Sequence, residues 1–128
     1  WLTDGKQKTP HYIYLPGYTV FAMAGLWEMW EGPDGYLETC TILTTSANRL
    51  LSRLHERMPC ILEPEDYDEW MDRTVEDPAK LMRLLRSYPE NKMDIYPVGD
   101  LVSRVSNDGP LLIERKRNVL PQVSLFDD

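Results

Sequence analysis

The tetrapeptide Gly32-Pro33-Asp34-Gly35 constrains the fold more than any other short stretch of the chain. It stands between two strand-like apolar runs, "TVFAMAGLW" (19–27) and "LETCTILTT" (37–45). The second is rich in the β-branched residues that suit a pleated surface. Strands joined by so short a turn run antiparallel, because a parallel partner needs a crossover of about a dozen residues or more. "PHYIYL" (10–15) reads as a further strand, parted from 19–27 by the turn signal Pro16-Gly17. After Thr45 the period changes. Ser46 or Thr45 can cap a helix whose apolar stripe is Leu50, Leu51 and Leu54 and which Pro59 stops. A second helix is expected from Pro64, with Glu65 and Asp66 in its first turn and Tyr67, Trp70 and Met71 buried. A third follows Asp77-Pro78, its stripe being Leu81, Leu84, Leu85 and Tyr88. The runs 93–98 and 101–105 read as late strands, and from 114 onward the chain turns basic and irregular, as a flexible tail would. Hairpins in place of βαβ repeats predict an α+β fold with a mixed or antiparallel sheet and flanking helices.

Composition narrows the function. The 128 residues are 42% hydrophobic and 27% charged, the balance of an ordinary globular domain. No apolar run reaches the roughly 20 residues that span a bilayer, and no signal peptide is read. A net charge of −7 argues against gripping duplex DNA through a broad basic surface, but leaves room for a narrow basic groove. Cys40 and Cys60 lie in apolar runs and read as small core residues, which suits a reducing cytoplasm.

The segment "LHERMPCIL" (54–62) holds one of the two histidines. A His-Glu-x-x-His zinc site fails because Pro59 stands at the second histidine's position. Nothing else has metal-ligand spacing, so neither metal nor cofactor is expected. His55 falls where the expected helix ends, a place that favours a protonated imidazole. Arg57 lies two residues on and offers a fork that fits phosphate. Thr44 ends the strand feeding this segment. The residues alone leave two readings open: a cleft with proton-transfer and anion-binding groups, or a histidine capping carbonyls beside an arginine paired with an acid.

The blocks "FAMAGLWEMWE", "TCTILTTSANRLLSRLHERMPCILEPEDYDEWM" and "SYPENKMDIYPVGDLVSRVSNDGPLLIE" resemble successive parts of the SOS response-associated peptidase (SRAP) domain. The resemblance runs from Trp1 to Ile113, as the carboxy-terminal portion of that domain, with 114–128 as a tail. It implies a partly barrel-like sheet with flanking helices, lacking the domain's first strands. It also implies a cytoplasmic, nucleoid-associated DNA-damage protein that shields abasic sites in single-stranded DNA. Family members expose an amino-terminal cysteine by autocatalytic removal of the initiator methionine. Its amine and thiol trap the open sugar aldehyde as a thiazolidine. By this resemblance His55 matches the catalytic histidine, Arg57 a residue that holds the DNA backbone, and Thr44 a hydroxyl at the pocket edge.

The departures matter as much. No cysteine lies near Trp1, which resembles the last letter of the family's Gly-(Phe/Tyr)-(Tyr/Phe)-Glu-Trp motif, so the cysteine and the glutamate are expected upstream. A truncated or degenerate module binding DNA or protein without chemistry is the competing reading, and a peptidase acting on other proteins the third. Trp27 and Trp70 read as core residues, while Trp30, beside the Gly32 turn, suits core or base stacking equally. In the tail, Gln122-x-Ser124-Leu125-Phe126 resembles the short peptide with which repair proteins dock on the bacterial sliding clamp.

Overall fold

A computed structural model describes residues 1–4 and 7–116. In chain order, its strands are Leu2–Asp4 (β1), Gln7–Thr9 (β2), His11–Tyr14 (β3), Gly25–Gly32 (β4), Gly35–Ile42 (β5), Thr44–Ser46 (β6), Arg57–Pro59 (β7) and Asp94–Pro97 (β8). Two short helices, Tyr67–Met71 (α1) and Pro78–Met82 (α2), stand among several single turns of 3-10 helix. The strands pair two by two as β1-β2, β3-β8, β4-β5 and β6-β7. This is a mixed α and β architecture with antiparallel pairs. Among the described residues the strands close no barrel, because no sheet has more than two of them.

The described residues form two compact units, one from Trp1–Ile13 with the described chain from Ile95, the other from Tyr14–Asp94. In the first unit β1 and β2 pair from Leu2↔Thr9 to Asp4↔Gln7. The Val98 amide donates to Pro10 (2.9 Å) and the Lys116 amide to Pro97 (2.8 Å), so the late chain is pinned beside β8. Tyr96 anchors this unit. Its hydroxyl donates to the Ile113 carbonyl at 2.8 Å, its ring lies 5.4 Å from that of Tyr12, and the Arg115 guanidinium sits 4.6 Å from its centroid. The segment 101–105, expected as a strand, is instead a 3-10 turn over Asp100–Ser103. The Asn107 amide donates to the Leu101 carbonyl, which satisfies locally what a strand would have offered to a neighbour.

In the second unit the expected turn forms at Pro33-Asp34, with β4 and β5 paired from Gly25↔Ile42 to Gly32↔Gly35. Gly35 holds φ at +114°, a conformation that favours glycine. The strand expected over 19–27 begins only at Gly25. Residues 22–24 are knitted into the core one bond at a time: Ala24 donates to Cys60 (2.8 Å), Leu62 to Ala22 (3.0 Å), Leu43 to Ala24 (2.9 Å) and Cys60 to Leu43 (2.9 Å). Ala24, Cys60, Leu62 and Leu84 form the buried centre, with Leu43, Tyr67, Trp70, Leu81 and Leu85 packed on it. Leu84 is almost fully buried, and a leucine so placed contributes about 1.5–3 kcal/mol.

The helix expected after Thr45 is not there. Ser46 and Thr45 belong to β6, and only a 3-10 turn, Leu51–Arg53, remains. The Ala47 amide donates to the Glu56 carbonyl (2.9 Å), closing 47–56 into the loop of the β6-β7 hairpin, too tightly for a longer helix. The helix from Pro64 does form, as a 3-10 turn running into α1, but Met71 is 74% exposed because α1 ends at that residue and turns it outward. Asp77 caps α2 through the Ala79 amide at 3.0 Å, but the helix ends at Met82, so Leu84, Leu85 and Tyr88 lie beyond it; Leu84 and Tyr88 are nevertheless buried.

Two aromatic and cysteine expectations are corrected. Cys60 is buried, but Cys40 is exposed and Trp27, its partner across the β4-β5 ladder, is 71% exposed. A two-stranded ribbon has no third layer to cover its faces. Trp70 is half-buried against the core. Trp30 is exposed and its ring lies over Gly32, where any Cβ would collide with the indole.

Candidate functional site

The site lies at the base of the β6-β7 hairpin, whose register is Thr44↔Pro59, Thr45↔Met58 and Ser46↔Arg57. The pairing puts Thr44 and Arg57 on neighbouring strands. The guanidinium crosses the ladder to reach the threonine: Nη2 donates to the Thr44 carbonyl at 2.7 Å and to its hydroxyl at 3.1 Å, and Nε to the hydroxyl at 3.3 Å. Among the described residues Arg57 forms no ion pair, since the three present are Arg83–Glu69, Arg86–Asp66 and Lys92–Glu63. A fork held on one edge by neutral oxygens keeps its other nitrogen and its charge for an anion.

His55 is tied to the same arginine through the backbone. Its Nδ1 lies 3.0 Å from the Arg57 amide nitrogen and 3.2 Å from the Arg57 carbonyl oxygen. The shorter contact is acceptance of the N–H, which leaves the proton of a neutral ring on Nε2. Protonating Nδ1 exchanges it for donation to the carbonyl, so both states of the ring have a backbone partner. Nε2 has no partner among the described residues. His55, Arg57 and Thr44, singled out in the sequence, are therefore brought together, and all three are exposed. The acid paired with Arg57 that the second of the two open readings required is not present among the described residues, and the helix expected to end at His55 is a single 3-10 turn.

Sequence reasoning missed what holds this hairpin. The Asn48 amide donates to the Tyr88 carbonyl (2.7 Å) and to the Met93 sulfur (3.2 Å), while its oxygen accepts from the Leu51 amide (2.9 Å). One side chain thus nucleates the loop turn and ties it to 88–93. The only sequence signal was an asparagine two residues after Ser46, a type that forms such local turns. Behind it, Glu63 is 8% exposed and fully engaged: Tyr88 donates to it at 3.2 Å and Lys92 at 2.6 Å. Burial and then the Glu63 charge push the Tyr88 hydroxyl above its usual range, and the Glu63 hydrogen bond holds the Lys92 proton more tightly. Cys60, the residue after β7, is pushed up by burial, which the nearby Arg57 charge partly opposes. A protonated, buried thiol of this kind is a poor nucleophile.

Among the described residues no three His, Cys, Asp or Glu side chains gather as a metal would need, and no helix is long and apolar enough to cross a membrane. Gln122, Ser124, Leu125 and Phe126 lie outside the described residues.

Residues 1–105 match the family model of the SOS response associated peptidase (SRAP). The chain is 44% identical over 112 residues to the abasic site processing protein YoqW of Bacillus subtilis, covering 87% of this chain and 50% of the relative. It is 40% identical over 112 residues to the abasic site processing protein YobE of the same organism, covering 87% and 49%. A crystal structure of a Bacteroides thetaiotaomicron protein superposes with a TM-score of 0.83 at 32% identity, covering 91% of this chain and 52% of the other. The chain spans about half the length of the relatives it matches.

Proposed function

The chain belongs to the SRAP family, and from that premise we propose that it is the part of an abasic-site processing protein that holds single-stranded DNA and moves protons at the damaged sugar. The observation that carries this reading is the Arg57 fork, fixed by Thr44, unpaired with any acid among the described residues and joined to His55. An abasic sugar in its open form presents an aldehyde. The α-amine of an amino-terminal cysteine adds to it and water leaves as the Schiff base forms. The thiol then adds across the carbon–nitrogen double bond, closing a thiazolidine, so the net change is loss of one water. His55 delivers a proton to the departing oxygen and takes one from the entering thiol, work for which imidazole is suited near neutral pH. Arg57 holds the phosphate beside the sugar, with the Thr44 hydroxyl steadying the fork. The same machinery, with the cysteine and glutamate expected upstream, would remove the initiator methionine.

Neither cysteine of the 128 residues carries a free α-amine, and Cys60 is buried. The 128-residue chain alone is therefore expected to form no adduct with an abasic oligonucleotide that survives denaturing electrophoresis. A protein in which the chain is preceded by the family's amino-terminal half should form one. An adduct with the short chain through Cys40, Cys60 or a lysine overturns this division of labour. No adduct with the extended protein favours a binding module without chemistry. We further propose that Gln122, Ser124, Leu125 and Phe126 dock on the replication sliding clamp, which would bring the protein to stalled forks.

A further inference from the structure

We propose a second anion-binding subsite in the loop of the β6-β7 hairpin, formed by Arg49 and Arg53 and shaped for the backbone phosphates of a single strand flanking the damaged nucleotide. It rests on the reading of the His55 and Arg57 site as a single-strand DNA site. A depression of about 450 Å³ lies between two walls. Arg49, Leu50 and Arg53 form one, and Glu90, Asn91 and Met93 the other. The volume falls in the lower part of the range of roughly 300–1,000 Å³ typical of small-molecule sites, enough for a nucleotide-sized group.

Charge and construction both favour a phosphate. Two guanidiniums face one carboxylate, Glu90, and neither arginine forms an ion pair among the described residues. On a chain of net charge −7, two unpaired cations on one short loop are a local reversal of sign. Leu50 and Met93 add apolar lining for a sugar or base face, and the Asn91 amide has both donor and acceptor for a base edge.

The two walls are held together rather than merely adjacent. Asn48 joins them, accepting from the Leu51 amide on one side and donating to the Tyr88 carbonyl and the Met93 sulfur on the other. Each wall includes part of a 3-10 turn, Leu51–Arg53 holding Arg53 and Glu90–Lys92 holding Glu90 and Asn91, and Lys92 is fixed to the buried Glu63. The arginines are thus carried on braced backbone, which lowers the ordering cost of binding. The hairpin also sets their order along a strand. Arg49 and Arg53 lie within the 47–56 loop closed by Ala47 and Glu56, and Arg57 begins the strand just beyond it.

The test compares the protein with an Arg49→Ala, Arg53→Ala variant and an Arg49→Lys, Arg53→Lys variant, by fluorescence anisotropy with a short oligothymidylate. Each single-strand phosphate contact contributes about 0.7 to the slope of log K against log salt. From about 50 to about 200 mM salt the unaltered protein should therefore lose roughly sevenfold more affinity than the alanine variant. The lysine variant should restore most of the slope, and circular dichroism should show all three folded alike. Binding by the unaltered protein with an unchanged slope in the alanine variant sinks this subsite and leaves the His55 and Arg57 reading standing. No binding of oligothymidylate by the unaltered protein sinks both. Full competition by thymidine monophosphate at the concentration that matches the oligonucleotide's phosphates would mark a mononucleotide pocket and overturn the strand assignment.

Discussion

Arg57 spends its hydrogen bonds on the hydroxyl and carbonyl of one threonine, and His55 spends its inner nitrogen on the arginine's backbone. The two side chains therefore fail differently when removed. In a protein carrying the amino-terminal half, His55→Ala should slow adduct formation while leaving binding to an undamaged strand nearly unchanged. Arg57→Glu should weaken binding to any single strand and flatten its salt dependence by about 0.7 in slope. Equal binding defects with no separate rate defect would make His55 structural. The second residue-scale expectation concerns Tyr88 and Lys92, whose protons are held more tightly in the folded state. Both contribute stability below their unfolded pKa values of about 10 and lose it as pH rises through the raised folded ones. The urea midpoint should fall above about pH 10, and less steeply in Glu63→Gln, which removes the charge acting on both. An identical fall in the two proteins would show that Glu63 is not the cause.

At the scale of elements, the β6-β7 hairpin depends on its loop more than on its three-residue strands. Asn48→Ala removes one accepted and two donated hydrogen bonds from a half-buried position, an expected cost of about 1–3 kcal/mol in urea denaturation. It should also weaken single-strand binding, because the arginine-bearing turn loses its tie to 88–93. A loss of stability with binding unchanged would mean that the loop reaches its shape without that tie. The β4-β5 turn was legible because Gly32-Pro33-Asp34-Gly35 specifies a local geometry. The 47–56 loop was read as a helix because Leu50, Leu51 and Leu54 have helical spacing. The bond from Ala47 to Glu56 and the burial of Leu51 satisfy the same residues within a hairpin loop instead.

For the molecule as a whole, binding nucleic acid at net charge −7 requires that cations be concentrated. In the proposed reading Arg49, Arg53 and Arg57, three guanidiniums within nine residues that also hold one acid, Glu56, supply that concentration, and none of the three forms an ion pair among the described residues. The tail sequence extends the same logic to a partner. A peptide spanning 118–128 should bind purified bacterial sliding clamp in the micromolar range, on the order of 10 μM, through the Leu125-Phe126 pair. Titration with a Leu125→Ala, Phe126→Ala peptide is the control. Binding absent at about 100 μM, or equal for both peptides, removes the clamp from the proposal.

The sequence by itself determined the β4-β5 hairpin, the helix start after Asp77-Pro78, the burial of Leu84 and Tyr88, and the closeness of His55 and Arg57 along the chain. Turn geometry, capping and short-range spacing are local, and a chain carries them wherever it goes. Only the tertiary structure decided that Trp27 and Cys40 face solvent, that 101–105 is a turn, and that Asn48 braces a loop against residues forty positions away. Those outcomes depend on which surfaces have something to cover them and which backbone groups find distant partners. An apolar residue has the same letter whether or not a neighbour arrives to bury it.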